Sequence, residues 1–141
     1  YNLLLKGLPN KKVYTLEGCP ETLGIAEESF KQLHLTNIES YLGDFKDTLP
    51  KVLKRAHTAD FVFFDGNHQE EPTLSYFEAC LNHITDQSIF IFDDIHWSTG
   101  MQSAWKKIKG HHKTVVTLDL FFVGIVFFDS KLSPQDFKIK F

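Results

Sequence analysis

Cysteine is scarce: two of 141 residues, Cys19 and Cys80, in neither a CxxC nor a Cys/His spacing. That argues against a disulfide framework or a zinc site as the organiser of the fold. Basic charge is not in excess either. Lys and Arg total 15 against 18 Asp and Glu, a formal net charge of -3, which counts against nucleic acid as the main partner. The one local cluster, Lys106, Lys107, Lys109, His111, His112 and Lys113, reads as a solvated helix end. Long apolar runs are missing, so no segment of the sequence is expected to span a bilayer. Tyr1 to Leu5 is apolar but lacks the basic leader and cleavage site of a signal peptide. Repeats, low-complexity stretches and linkers are absent as well. The expectation is a single domain over residues 1–141 in a reducing cytoplasm.

What the sequence does have is alternation. Hydrophobic residues make up 43% and charged residues 23%, with 14 Phe, enough for a core without staples. Lys12 to Glu17 reads as a strand. Pro20 opens a helix to about Leu33, with Leu23, Ala26, Phe30 and Leu33 on one face. Asn37 to Leu42 is a strand, followed by a helix carrying Phe45, Leu49, Val52 and Leu53. Phe61 to Asp65 is a continuous apolar run, the mark of a strand buried on both faces. Pro72 opens a helix with Leu74, Phe77, Leu81 and Ile84 inward. Ser88 to Asp93 is a second buried strand, and Met101, Ala104, Trp105 and Ile108 mark another helix. Thr114 to Asp119 and Ile125 to Phe128 are strands joined too closely for anything but an antiparallel hairpin. The pattern predicts an α/β fold: a doubly wound, mostly parallel, Rossmann-like sheet with helices on both faces and a C-terminal antiparallel hairpin at its edge.

Ligands of such sheets bind beyond the carboxyl ends of the strands, and here those ends are acidic: Glu17-Gly18, Gly43-Asp44, Asp65-Gly66-Asn67-His68 and Asp93-Asp94-Ile95-His96-Trp97. Carboxylates brought together repel unless a cation or hydroxyl donors lie between them. Glu17 can accept from vicinal ribose hydroxyls; it can equally be an acid near a helix N-terminus. Asp44 can accept from an adenine amino group with Phe45 over the base, or simply cap the next helix. Asp65, Asp93 and Asp94 form a hard oxygen set suited to Mg²⁺, against the plainer reading of helix caps. His68 has the chemistry of a general base near neutral pH; a loop histidine is more often just surface. Trp97 is more often packing than a substrate platform. His34, His57, His83, His111 and His112 show no ligand spacing.

In this order, Glu17, Gly43-Asp44, FVFFDGNH and IFDDIHW resemble the class I S-adenosylmethionine-dependent methyltransferases, and among them the cation-dependent, catechol-type O-methyltransferases. The resemblance covers nearly the whole chain, including the final hairpin, and implies an antiparallel last strand inserted beside its parallel neighbours. It implies S-adenosylmethionine as cofactor, with Glu17, Gly18, Cys19, Gly43, Asp44, Phe45 and Asp65 around it. It implies a metal, Mg²⁺, at Asp65, Asp93 and Asp94, catalytic roles for His68 and Asp65, and a small-molecule acceptor beside His96 and Trp97. From the charge balance and the lack of a spanning run, no nucleic-acid or membrane partner is expected. Two departures stand out. His68 falls where many catechol-type members have Lys. The glycine-rich loop after the family's first strand has no counterpart before Lys12, so Tyr1 to Asn10 reads as the tail of the helix that follows that loop. The domain is expected to be N-terminally truncated, leaving the strands ending at Glu17 and Asp65 without their shared neighbour.

Two other classes fit parts of the sequence. A dinuclear metallophosphoesterase would use Gly43-Asp44-Phe45-Lys46-Asp47, Gly66-Asn67-His68-Gln69-Glu70 and Gly110-His111-His112, but leaves Asp93-Asp94 without a role. A non-catalytic module would instead pair its open strand edges with a partner, a homodimer being one form of this.

Overall fold

Ile89-Phe90-Ile91-Phe92-Asp93 alternates β-branched and aromatic side chains, and Phe90 and Phe92 are both fully buried. This strand anchors the larger of two compact units, Tyr1–Arg55 and Ala56–Phe141. The computed structural model describes residues 11–139, so the expected helix tail at Tyr1 to Asn10 lies outside the described residues. The elements are β1 (Val13–Glu17), α1 (Pro20–Gln32), β2 (Ile38–Leu42), α2 (Phe45–Ala56), β3 (Phe61–Phe64), α3 (Glu70–Leu81), β4 (Ile89–Asp93), α4 (Thr99–Lys109), β5 (Val116–Asp119), β6 (Val123–Phe127) and β7 (Gln135–Lys138). This is the expected alternation with one strand more.

In the first unit β1 and β2 pair in parallel, Val13 opposite Ile38 and Glu17 opposite Leu42. Pro20, Leu23 and their helix α1 follow the first strand, and α2 follows the second. Leu23, Val52 and Leu53 are the buried apolar side chains of this unit among the described residues.

In the second unit the strand order is β3-β4-β6-β5-β7. β3 and β4 are parallel, β6 is antiparallel to both β4 and β5, and β7 is parallel to β5. The hairpin therefore does not form the antiparallel edge that its short connection suggested; its last strand is inserted, as the resemblance implied. β6 is inserted between β4 and β5, and β7, which was not anticipated, takes the edge. One face carries the core. Phe64 stacks on Phe92 at 4.4 Å, Phe77 of α3 meets Phe90 and Phe92 edge-on, and Trp105 of α4 lies 6.2 Å from Phe92. Ile95, Ile108 and Val126 complete it, each almost fully buried. Burying one such side chain contributes about 1.5–3 kcal/mol.

β3 corrects a second expectation. Its apolar run is not buried on both faces: Phe61 is 45% exposed and Phe63 36%. Its one sheet partner among the described residues is β4, and only the Val62/Phe64 face meets the core. Part of the basic cluster is paired where it stands. Lys107 pairs with Glu70 and Lys109 with Asp136, and Lys113 donates to the Leu81 carbonyl. Among the described residues no helix is long and apolar enough to cross a membrane.

Candidate active site

Each unit gathers its sequence-predicted residues at strand carboxyl ends. In the first, Glu17 closes β1 and accepts the Cys19 N–H through Oε1 at 2.8 Å. This holds the Gly18-Cys19 turn ahead of α1, and the Cys19 thiol in turn donates to Glu21 at 3.1 Å. Gly43 donates its N–H to the Glu17 carbonyl, so the ends of β1 and β2 are stitched side by side. Gly43 adopts φ 137°, a conformation only glycine enters without strain. Asp44 is exposed, and its Oδ1 accepts the Lys46 N–H at 2.9 Å at the start of α2. Asp44 is thus a helix cap in this structure, and Phe45 is the first residue of α2.

In the second unit, Phe64 of β3 lies opposite Phe92 of β4, which sets Asp65 beside Asp93. Asp94 follows with φ 53° and Asn67 with φ 50°. These left-handed residues turn the chain sharply just after each strand, where Asp and Asn are the best tolerated after glycine. The result is a cluster around His68. Its Nδ1 is 3.0 Å from Asp94 Oδ2 and its Nε2 is 3.6 Å from Asp65 Oδ1. Both are ion-pair contacts of the ring when it is protonated, the first close and the second longer. The ring thus lies between two carboxylates, Nδ1 toward Asp94 and Nε2 toward Asp65. The Asp65 carboxyl is held above its ordinary range. Burial is the main cause and the neighbouring Asp93 charge adds to it, while His68 opposes; Asp94 and a shared hydrogen bond with Asp93 also raise it.

The Mg²⁺ ligand set meets a different geometry from the one expected. Asp65, Asp93 and Asp94 do converge, but the His68 ring stands between Asp65 and Asp94. Among the described residues no group of three or more His, Cys, Asp or Glu is disposed around a cation. As placed, these side chains fit an imidazole and not a metal. The phosphoesterase motifs do not assemble within the second unit. His68 follows β3 at the carboxyl end, whereas His111 and His112 follow α4 and precede β5, at the opposite end of the strands.

Beyond β4 a cavity of about 190 Å³ is lined by Asp94, His96, Trp97, Phe121 and Phe122. Here the structure adds residues that the sequence reading missed. His96 and Trp97 were expected at an acceptor pocket; Phe121, Phe122 and Asp119 were not. The buried Asp119, at the end of β5, accepts from His96 Nε2 at 3.0 Å, Trp105 Nε1 at 3.3 Å and the Phe121 N–H at 3.1 Å. Burial pushes its carboxyl upward, but the bonds from Phe121, His96 and Trp105 outweigh that and hold it below the ordinary value. A signal was available: Phe121-Phe122 occupies a hairpin turn where Gly, Asn or Asp is usual.

A parallel α/β sheet with an inserted antiparallel strand, and acids at its carboxyl ends, defines a Rossmann-like, class I methyltransferase fold. The chain belongs to the methyltransferase domain family, whose model matches residues 3–95. A comparison with curated proteins gives no match. Among solved structures it is similar to the SAH-bound methyltransferase PaMTH1 of Podospora anserina, with TM-score 0.68 and 16% identity over 83% of this chain and 60% of that one. It is similar to an O-methyltransferase of Bacillus cereus in complex with SAH, with TM-score 0.66 and 18% identity over 82% and 62%. The O-methyltransferase TomG of Streptomyces achromogenes, involved in tomaymycin synthesis and in complex with SAM, gives TM-score 0.68 and 18% identity over 89% and 66%. At such identities the likeness is one of fold. The chain spans less than two thirds of the length of each of these structures.

Proposed function

We propose that this chain carries S-adenosylmethionine-dependent methyl transfer to an oxygen of a small-molecule acceptor. The observation that supports it most is the Asp94–His68–Asp65 arrangement at the carboxyl ends of β3 and β4, in a chain that belongs to the methyltransferase domain family. The donor chemistry of the cofactor suits the residues present. Glu17 would accept from its ribose hydroxyls and Asp44 from its adenine amino group, with Phe45 against the base and Gly18, Cys19 and Gly43 leaving room for close approach. The cofactor supplies an electrophilic methyl group. The chain's own residues handle the proton. Asp94 lies 3.0 Å from Nδ1 of the His68 ring, and Nε2 would take the proton from the acceptor hydroxyl, leaving its oxygen as the nucleophile toward the methyl. Asp65 lies beside that nitrogen, its carboxyl held above the usual range by burial and by the Asp93 charge.

In this reading His68 stands where the sequence alone suggested Mg²⁺. Calorimetric titration of S-adenosylhomocysteine, with and without Mg²⁺, tests both parts. Binding independent of Mg²⁺ is the expected result. No binding by the folded protein overturns the cofactor assignment, and binding only with Mg²⁺ overturns the role given to His68. His68→Gln should bind S-adenosylhomocysteine as wild type does and lose about 10²–10⁴-fold in turnover, the range of a missing general base.

A further inference from the structure

The Asp119–His96 pair is not used by the chemistry above, yet it is built with more care than a surface contact. Asp119 is buried and ionised, and spends three hydrogen bonds on three different elements: the His96 ring after β4, the Trp105 indole of α4, and the Phe121 N–H in its own hairpin. A carboxylate only accepts, so His96 must carry its proton on Nε2 in the neutral ring and expose a lone pair on Nδ1. The backbone around it is fixed in two further ways. Phe122 N–H bonds the Leu120 carbonyl around Phe121 at φ 70°, the geometry of a γ-turn that L-residues rarely adopt. Ile95 N–H bonds the Phe122 carbonyl, tying the loop after β4 to the hairpin tip. The strained turn holds the Phe121 ring 5.6 Å from the His96 ring and edge-on to Phe122 at 5.0 Å. Trp97, 76% exposed, completes the cavity wall. Three large aromatic side chains and a single oriented imidazole form a wall that is apolar apart from one acceptor nitrogen and the Asp94 carboxylate.

We infer that this cavity is a reader of acceptor hydroxyls: it takes a flat aromatic ring between Trp97, Phe121 and Phe122, and His96 Nδ1 accepts a hydrogen bond from a hydroxyl on that ring, with Asp119 as the positioning residue. The inference deepens the methyl-transfer reading and rests on it for the word acceptor, but the binding site stands on its own geometry. His96 here selects and orients; proton removal stays with His68. No covalent step is involved.

The test uses 2-naphthol and its methyl ether, 2-methoxynaphthalene, as probes, titrated by calorimetry into the full chain without cofactor. Wild type should favour the naphthol about five- to tenfold, the contribution of one sheltered hydrogen bond. Asp119→Asn should erase that preference while still binding the ether, because a merely structural defect would weaken both probes alike. His96→Phe keeps the ring and removes the acceptor nitrogen, and should also bind both equally. Long-range ¹⁵N spectra should show His96 as the Nε2–H tautomer in wild type and a mixture in Asp119→Asn. Equal binding of the two probes by wild type, a preference retained in either variant, or binding of neither probe overturns the proposal. Because no cofactor is present, failure here is distinct from failure to bind S-adenosylhomocysteine, which bears on the methyl-transfer reading alone.

Discussion

Gly124 lies opposite Phe92 in the β4–β6 ladder, directly beneath the Trp105 indole. A Cβ added there would come within 2.7 Å of the ring, closer than packed carbons tolerate. The indole is buried and tied to Asp119 through Nε1, so it has no easy way to yield. Gly124→Ala should therefore destabilise by about 1–3 kcal/mol, read as a lower urea midpoint with unchanged slope. Asp119 gives the acid counterpart. Its folded carboxyl is held below the ordinary value, net of the burial that opposes this. Its contribution is thus fully present above the unfolded carboxylate pKa and is lost as pH falls through the lowered folded one. Asp65 runs the other way. Its carboxyl is raised, so its contribution is present at low pH and is lost as pH rises through the folded value. Urea midpoints followed from about pH 7 down to about pH 2 should fall more gently in Asp119→Asn than in wild type; parallel curves would remove Asp119 as an acid-sensitive group. The sequence made some of these residues legible and hid others for one reason. Asp65, Asp93 and Asp94 sit at the ends of neighbouring strands, so strand register alone brings them together. Asp119 gains its role only because β6 is inserted beside β4, which no local pattern announces.

Helices and strands were legible where their periodicity was strong. The helix expected at Pro72 begins earlier, at Glu70, with Gln69 in the cap position. Pro72 falls in the first turn, where its missing N–H would have had no helical partner. The hairpin strands each begin two residues from where they were expected: β5 starts at Val116 and β6 at Val123, with Leu120, Phe121 and Phe122 forming the turn. β7 escaped notice because Gln-Asp-Phe-Lys offers no apolar alternation and is exposed throughout. It is held to β5 by its ladder and by Asp136, which accepts from Thr117 and Lys109. The start of α4 carries the clearest cap among the described helices. Ser98 Oγ accepts the Met101 N–H at 3.1 Å, satisfying one of the orphan donors of the first turn. Ser98→Ala should cost about 1 kcal/mol, seen as a lower thermal midpoint. Unchanged stability would mean that water replaces the hydroxyl at that N–H. Since α4 also supplies Trp105 to Asp119, the same variant should loosen the His96 cavity, detectable as weaker preference for a hydroxylated probe.

At the scale of the chain, burial is distributed unevenly, and that makes a prediction about dynamics. In the second unit Phe77, Phe90, Phe92, Ile95, Ile108 and Val126 are almost wholly removed from water. β4 has hydrogen-bonded neighbours on both sides, β3 and β6. Among the described residues of the first unit, β1 and β2 make a two-stranded sheet whose residues are half-buried or exposed along their whole length. Two strands alone are at best marginally stable in water, and opening free energies follow local burial and ladder completeness. Native-state hydrogen exchange should therefore rank the amides of β4 and β6 as the slowest and those of β1 and β2 as faster by several orders of magnitude. If the proposed function is right, S-adenosylhomocysteine should change this ranking at one place above others. Ligands stabilise the state they bind by mass action, about 2.7 kcal/mol at a hundredfold excess over Kd. That increment matters most where intrinsic protection is lowest, at the Glu17 and Gly43 ends of β1 and β2. Protection rising there on adding the ligand, with β4 unchanged, would join cofactor binding to the residues assigned to it. Uniform protection, or none, would separate the assignment of Glu17 and Asp44 from the fold that suggested it.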